Sequence, residues 1–149
     1  MEMFPPTPFF TGVNAPSRAE VDIADLEVIG SIPPGIDGAF YRAAADHQFA
    51  PRFVDDIPFN GDGMISQFRF KDGKVGLKSR YARSARFVKE RAAGRALMGK
   101  YRNRHLDEPE LGDLPRDLAN TNELGTSDAI VADPTLCTKH FWFNHSSTR

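Results

Sequence analysis

Apolar and polar side chains alternate most regularly in the stretch between Gly61 and Tyr81. In a β-strand every second side chain lies on the same face, so a period of two predicts a strand. One face of the two predicted strands carries Met64, Ser66, Phe68 and Phe70, then Val75, Leu77, Ser79 and Tyr81. Asp72-Gly73 separates the two runs and is typical of a two-residue type I′ turn. The pattern therefore predicts a β-hairpin, which the chain enters through a sharp bend at Gly61-Asp62-Gly63.

Shorter elements are predicted before the hairpin. Leu26–Ile29 is a short apolar run that predicts a strand, and Ala39–Arg42 predicts a second strand with Arg42 directed inward at its end. Residues 30–38 carry Pro and Gly and predict the loop between these strands. Residues 43–58 have no regular period and contain two prolines, so they too are predicted to be loop.

After the hairpin, the apolar spacing becomes helical. Positions i, i+3, i+4 and i+7 are occupied by Gly94, Leu97, Met98 and Tyr101. This spacing places the four residues on one helix face. We expect only a short helix near residues 87–101, because each glycine weakens a helix by about 1 kcal/mol relative to Ala. Residues 103–118 are polar, contain two prolines and predict a loop, and the Pro-rich residues 1–20 predict an irregular arm.

The composition favours a β-rich fold. The 149 residues include 12 Phe, 12 Gly and 11 Pro, which is typical of a turn-rich all-β architecture rather than a helical bundle. Lys plus Arg number 19 and Asp plus Glu number 20, giving a formal net charge of −1. This balance gives no electrostatic argument for binding nucleic acid or an anionic membrane.

The N-terminus and the cysteine usage favour the cytoplasm. Residues 1–10 have neither the basic region of a signal peptide nor the long apolar core of a membrane span. Cys137 is the single cysteine and has no partner for an internal disulfide, which fits a reducing compartment. We therefore expect a cytoplasmic protein without a membrane span.

The acidic and glycine-rich motifs favour structural roles. Gly61-Asp62-Gly63 lacks the residues of a phosphate-binding loop, so a structural turn is the better interpretation. Asp55, Asp56 and Asp62 lack the alternating oxygen ligands of a calcium loop. We expect these three carboxylates to be solvated or to cap turns.

The histidines do not form a recognisable metal or catalytic set. They are His47, His105, His140 and His145. Cys137-x-x-His140, with His145 nearby, resembles half of a zinc site, but no second pair completes four ligands. The simplest interpretation of Phe59 is a packing residue, and that of Tyr101 is a core aromatic residue with its hydroxyl at a wet edge. Taken residue by residue, the chain is a β-rich domain without a self-evident active site.

A series of ordered motifs nevertheless resembles the carotenoid cleavage oxygenase family, and most of all its lignostilbene dioxygenase branch. The motifs are Gly30-x-Ile32-Pro33…Gly38-x-Phe40-Tyr41-Arg42, Gln48-Phe49-x-Pro51-Arg52, Phe59-Asn60-Gly61-Asp62-Gly63-Met64, Arg80-Tyr81, Glu90-Arg91-Ala92-Ala93-Gly94, Gly99-x-Tyr101-Arg102-Asn103 and Ala119-Asn120-Thr121-Asn122. The resemblance covers residues 4–122 and corresponds to the N-terminal quarter of such an enzyme. Each motif is weak alone, and their common order makes the resemblance specific.

The resemblance implies a seven-bladed β-propeller, of which this chain would form one to two blades. In the family, four histidines hold a non-haem Fe(II) on the propeller axis, and an alkene is cleaved with O₂ into two carbonyl products. The substrate would be a phenolic stilbene or a carotenoid or apocarotenoid. The resemblance places Phe59 at an aromatic substrate-binding position and Tyr101 at a tyrosine that meets the substrate phenol, together with a downstream lysine.

The chain also departs from the family pattern. Residues 43–47 replace a usual Asn-Gly-Pro, and after Asn122 we find neither the expected lysine nor the family's iron-binding histidines. We therefore expect an N-terminal arm (1–20), a propeller portion (21–122) and a divergent tail (123–149), as in a truncated, frame-shifted or alternatively spliced product. The expectation for the isolated chain is no catalytic residue, no metal ligand, no bound iron and no activity. The alternative is a non-catalytic binding or regulatory fragment.

Overall fold

The computed structural model describes residues 3–114, 123–125 and 130–132. The described strands are β1 (Val21–Ile23), β2 (Gly38–Asp46), β3 (Asp62–Lys71), β4 (Lys74–Tyr81), β5 (Glu123–Gly125) and β6 (Ile130–Ala132). The α-helix in this part of the chain is α1 (Ala85–Ala93), and short 3-10 helices lie at Gly12–Asn14, Pro58–Asn60, Arg104–Leu106 and Pro109–Leu111. A four-stranded sheet has the order β1-β4-β3-β2, and β5 pairs with β6. The predominance of strands agrees with the predicted fold class.

The central hairpin is confirmed. Asp72 and Gly73, between β3 and β4, have φ angles of 50° and 74°. Two consecutive positive φ values are what a type I′ turn requires, and this turn matches the twist of the two strands it joins. The hydroxyls of Ser66 and Ser79 lie 3.0 Å apart on facing strands, as the predicted common face requires.

The first predicted strand is wrong in position. Leu26–Ile29 forms no strand, and β1 lies earlier, where Val21 pairs with Ser79 and Ile23 with Leu77. Leu26 still donates its backbone N–H to the carbonyl of Val75 over 2.7 Å, but Ile29 is 98% exposed. The strand that pairs with the edge of β4 is therefore Val21–Ile23, which contains a polar residue, and not the more apolar Leu26–Ile29. Strand pairing depends on register and not on hydrophobicity alone.

The second predicted strand is confirmed but is longer than expected. β2 extends through three alanines to Asp46, so the loop predicted from residue 43 begins only at His47. Alanines give no period-two signal and have low strand propensity, which is why the pattern misses them. Arg42 is exposed, so the prediction that it points inward is wrong.

The predicted helix exists but ends earlier than expected. Ser84 caps α1 by accepting a hydrogen bond from the backbone N–H of Phe87 over 3.1 Å, and Gly94 follows the last helical residue with a φ of 69°. A glycine in this left-handed conformation is a common helix terminator. Leu97 and Met98 are buried against Leu111 instead of continuing the helix. Their apolar spacing therefore reflects a small hydrophobic core and not a helix face.

The chain forms two compact units. The first contains the N-terminal residues up to Arg18, residues Ala44–Met64 and residues Ala82–Asn120, including α1. The second contains Ala19–Ala43 and Ile65–Tyr81, which carry β1, β4 and most of β2 and β3, together with β5 and β6. The domain boundaries expected at residues 20 and 122 stay predictions. Within the described residues, no helix has the length and apolar character that crossing a membrane requires.

Candidate substrate-binding site

Phe59 presents its ring to solvent from a short 3-10 helix. The helix spans Pro58–Asn60, and Pro58 at its first turn has the φ that a helix start needs and no N–H to leave unpaired. Phe59 is 56% exposed, whereas the next residue, Asn60, is 5% exposed. The interpretation of Phe59 as a packing residue is therefore wrong. An exposed ring held beside a buried residue is suited to contact a ligand.

Tyr101 lies half-buried in the turn after Gly99. Arg102, the next residue, has a φ of 59°, and its guanidinium carbon lies 5.1 Å from the centroid of the Tyr101 ring. Within the described part of the chain, the Tyr101 hydroxyl makes no hydrogen bond. Partial burial agrees with the interpretation of an aromatic residue at a wet edge, and it leaves the hydroxyl available to a ligand.

Asn60 connects the segments that carry these two aromatic residues. Its side-chain amide donates to the carbonyl of Gly99 over 2.8 Å and to the carboxylate of Asp56 over 2.7 Å. Asp56 in turn accepts from the backbone N–H of Ile57 over 2.9 Å. Asp56 is 4% exposed, so it caps the turn as expected and is not solvated. The structure thus brings the Phe59 and Tyr101 segments together, a pairing that sequence spacing did not suggest.

Glu90 on α1 is the most deeply buried charged residue near this site, at 1% exposure. One carboxylate oxygen accepts from the backbone N–H groups of Leu97 and Met98, each over 2.9 Å. The other lies 3.2 Å from Nε of Arg86, one helical turn earlier. This pair was not predicted from the sequence, although an Arg and a Glu four residues apart are a recognisable helical ion-pair spacing.

Asp62 is also buried, at 4% exposure, so of the two roles expected for its carboxylate, solvated or turn-capping, the solvated one is wrong. Its carboxylate accepts from the backbone N–H of Gln48 over 3.3 Å, and Oδ1 lies 3.9 Å from Nε of Arg86. Burial raises the pKa of Asp62 to about 6; Arg86 opposes this rise and Glu90 adds to it. Two buried carboxylates therefore share one guanidinium, and Asp62 lies farther from it than Glu90 does.

His47 is buried in the loop after β2. Burial lowers the pKa of His47, and the positive charge of Arg86 lowers it further. The Phe10 ring packs edge-on against the imidazole at a centroid distance of 5.1 Å. A β-carbon on Gly61 would lie 2.8 Å from Cδ2 of this imidazole, so the Gly-Asp-Gly bend needs glycine at its first position for close packing. These contacts describe a neutral packing histidine.

The described residues do not fit the iron centre that the resemblance implies. In this part of the chain, no group of three or more His, Cys, Asp or Glu side chains is placed to hold a metal ion. His105 is exposed, while Cys137, His140 and His145 lie outside the described residues.

Comparisons with known proteins agree with the motif series. The family model described as retinal pigment epithelial membrane protein matches residues 14–139, a range that continues past Asn122. The chain is 51% identical over 132 residues to lignostilbene-α,β-dioxygenase isozyme III of Sphingomonas paucimobilis, covering 89% of this chain and 27% of that protein. It is 47% identical over 129 residues to resveratrol cleavage oxygenase 1 of Chaetomium globosum, covering 87% of this chain and 22% of that protein.

A solved structure shows the same relationship. The crystal structure of Pseudomonas brassicacearum lignostilbene dioxygenase matches with a TM-score of 0.80 at 40% identity, covering 87% of this chain and 27% of that chain. The chain thus spans about a quarter of the length of the relatives it matches.

Proposed function

Because this chain belongs to the carotenoid cleavage oxygenase family, we propose that it forms the N-terminal part of an oxygenase that cleaves an alkene C=C bond with O₂ into two carbonyl products. Its relatives carry the names lignostilbene dioxygenase and resveratrol cleavage oxygenase, which supports an alkene substrate. Their greater length supports the view that further chain completes the catalytic centre. The whole fold would be the seven-bladed propeller of the family, with the four-stranded sheet described above in one blade.

The substrate class that we propose is a phenolic stilbene. The supporting observation is the hydrogen bond from Asn60 to Gly99, which holds together the segments of an exposed Phe59 ring and of a Tyr101 hydroxyl that makes no hydrogen bond within the described residues. An aromatic ring offers offset or edge-on stacking to a substrate ring. A tyrosine hydroxyl both donates and accepts, so it can hydrogen-bond a phenol oxygen in either protonation state. Phe59 would thus orient the substrate and Tyr101 would fix its phenolic end.

A carotenoid or apocarotenoid is the alternative substrate. The polyene of such a substrate has no phenol for Tyr101 to recognise, so we expect loss of the Tyr101 hydroxyl to leave its cleavage unchanged. The effect of Tyr101→Phe on the cleavage of each substrate class therefore distinguishes the two.

Fe(II), the cofactor that the family implies, would supply O₂ activation in the complete protein. We propose that its histidine ligands belong to chain beyond the described residues, and that the 149-residue chain alone neither holds iron nor cleaves the alkene. A binding or regulatory role for the isolated chain is the alternative to an inactive one.

A graft tests this function directly. The matched N-terminal quarter of the Sphingomonas lignostilbene dioxygenase is replaced by this chain, and aldehyde release from a hydroxystilbene is measured. We expect the graft to cleave the substrate, and Tyr101→Phe in the graft to lower kcat/KM by up to about tenfold, as for the loss of one hydrogen bond. The same substitution should leave cleavage of a stilbene without the phenol unchanged. A graft that folds and loads iron but cleaves neither stilbenes nor apocarotenoids would contradict the proposed function.

A further inference from the structure

We propose that Asn60, Arg86 and Glu90 form a buried clasp that sets the position of Phe59 relative to Tyr101, and so act as positioning residues for the substrate. The inference rests on the proposed function in that Phe59 and Tyr101 are taken as the substrate-binding pair. The clasp itself is defined by contacts within the first compact unit. None of its three residues is proposed to touch substrate.

The clasp links the two segments by two independent routes. On the direct route, the side chain of Asn60 donates to the carbonyl of Gly99 over 2.8 Å. On the second route, Nη1 of Arg86 donates to the backbone carbonyl of Asn60 over 2.7 Å, and Nε of Arg86 lies 3.2 Å from Glu90. The route closes at Glu90, which accepts from two consecutive backbone N–H groups just before Gly99. Together the contacts form a closed ring.

Burial makes this ring stiff. Asn60 and Glu90 are 5% and 1% exposed, and the Arg86 side chain is 14% exposed, so little water is available to replace a broken contact. A buried donor or acceptor that loses its partner keeps the full cost of its desolvation. Both segments are therefore held in one arrangement rather than exchanging between several.

Gly99 is held from its other side as well. Its backbone N–H donates to Asp107 over 2.7 Å, and a β-carbon at this position would lie 2.6 Å from the carbonyl of Leu106. The Gly99 backbone is thus pressed between Asn60 and the 3-10 helix at Arg104–Leu106. If Asn60 moves, Gly99 has no room to adjust, so the residues that follow it, including Tyr101, move as well.

The chain places both aromatic residues close to the clasp. Phe59 precedes Asn60 by one residue, and Tyr101 follows Gly99 by two, so at about 3.8 Å per residue both backbones lie within a short reach of the ring of contacts. An error of about 1 Å in the placement of reacting groups is enough to slow an enzyme strongly. The clasp would thus set how far the substrate ring lies from the hydroxyl that meets the phenol.

Fluorine NMR of the full 149-residue chain tests the inference. The chain has three tyrosines, and fluorotyrosine labelling gives one signal each for Tyr41, Tyr81 and Tyr101, with the last assigned by Tyr101→Phe. Asn60→Ala breaks the direct route from Asn60 to Gly99, together with the side-chain bond to Asp56, and keeps the backbone carbonyl that Arg86 contacts. Glu90→Gln keeps an oxygen for the two N–H groups and weakens the link to Arg86.

The matched control is Asn14→Ala. Asn14 also donates its side-chain amide to a backbone carbonyl over 2.8 Å, that of Pro8, but the bond is exposed and far along the chain from either aromatic residue. We expect Asn60→Ala and Glu90→Gln to shift or broaden the Tyr101 signal, with the Tyr41 signal unchanged, and Asn14→Ala to move neither. Titration with trans-resveratrol should show at least about fivefold weaker binding for Asn60→Ala. This corresponds to the loss of one hydrogen bond, the one between the displaced Tyr101 hydroxyl and the phenol.

The possible outcomes separate the two proposals. If the Tyr101 signals of folded Asn60→Ala and folded Glu90→Gln chains both match the wild type, the clasp is wrong whether or not the stilbene binds. If the signal moves but trans-resveratrol does not bind the wild-type chain, the clasp stands and the substrate role of Phe59 and Tyr101 fails. If Asn60→Ala does not fold, Glu90→Gln decides, and an unchanged Tyr101 signal there overturns the inference.

Discussion

Nε of Arg86 lies 3.2 Å from the carboxylate of Glu90 and 3.9 Å from that of Asp62, so a single guanidinium serves two buried carboxylates. With both carboxylates ionised, this arrangement holds one uncompensated negative charge away from water. Such a charge is costly, and the group usually accepts a proton instead. The effects of this shared guanidinium on stability are measurable on the isolated chain.

The first prediction concerns the pH dependence of stability. The folded state raises the pKa of Asp62 from its ordinary 3.8 to about 6, so Asp62 contributes stability that is present below about pH 4 and lost as the pH rises through about 6. The shift corresponds to at most about 3 kcal/mol. Urea unfolding from pH 4 to 8 should therefore show less loss with rising pH for Asp62→Asn than for the wild type.

His47 changes the stability of the chain with pH in the opposite direction to Asp62. Because folding lowers the pKa of His47 from 6.5, its contribution to stability is present above about pH 6.5 and is lost as the pH falls. The two effects offset each other in the wild type, so only the difference between wild type and Asp62→Asn isolates the carboxyl. A difference that does not change between pH 4 and 8 would contradict the raised pKa of Asp62.

The second prediction compares a buried ion pair with an exposed one. Glu90→Leu leaves Arg86 without the nearer of its two carboxylates and two backbone N–H groups without an acceptor, and should destabilise the chain by about 3–5 kcal/mol. Asp25→Ala breaks a pair with Lys74 that is shorter, at 2.6 Å, but both of its side chains are more than half exposed. We expect no measurable change there, since exposed pairs contribute little. Equal midpoints for the two variants in urea unfolding would refute the assigned role of Glu90.

The third prediction concerns Gly61. A β-carbon at Gly61 would meet the His47 ring at 2.8 Å and the backbone of Asp46 at 3.2 Å, so Gly61→Ala should destabilise the chain by about 1–3 kcal/mol. Gly35 is the control, because a β-carbon there would meet nothing within 4 Å. Gly35→Ala should be neutral or slightly stabilising, by less than about 1 kcal/mol. Thermal unfolding of both variants measures the difference, and a neutral Gly61→Ala would show that the loop after β2 can move aside.

The fourth prediction tests the start of α1. Ser84→Ala removes the hydrogen bond to the Phe87 N–H and should cost about 1 kcal/mol. Ser84→Asp keeps a capping oxygen and should stay near the wild type. Circular dichroism during urea unfolding reports both midpoints, and a loss for Ser84→Asp as large as for Ser84→Ala would show that capping is not the cause.

Local patterns in the sequence determined several elements of this protein. The hairpin of β3 and β4 followed from period-two alternation and the Asp72-Gly73 turn, because neighbouring residues alone decide both. The motif series indicated the family, and the family resemblance identified Phe59 and Tyr101 as candidate substrate-binding residues. By contrast, the spacing of Leu97 and Met98 predicted a helix that Gly94 ends, since a buried irregular segment can place apolar residues at the same intervals as a helix.

Only the tertiary structure decided where the charges and the first strand lie. Asp62 and Glu90 are 28 positions apart in the sequence, and nothing local to either shows that both are buried beside Arg86. β1 forms at Val21–Ile23 and not at the more apolar Leu26–Ile29, because the register of pairing with β4 selects the segment. In the same way, Asn60 and Gly99 meet through folding alone, and their contact joins the two segments that carry Phe59 and Tyr101. Alternation and turn chemistry act between near neighbours, whereas burial, strand pairing and charge sharing depend on which distant segments the fold places in contact.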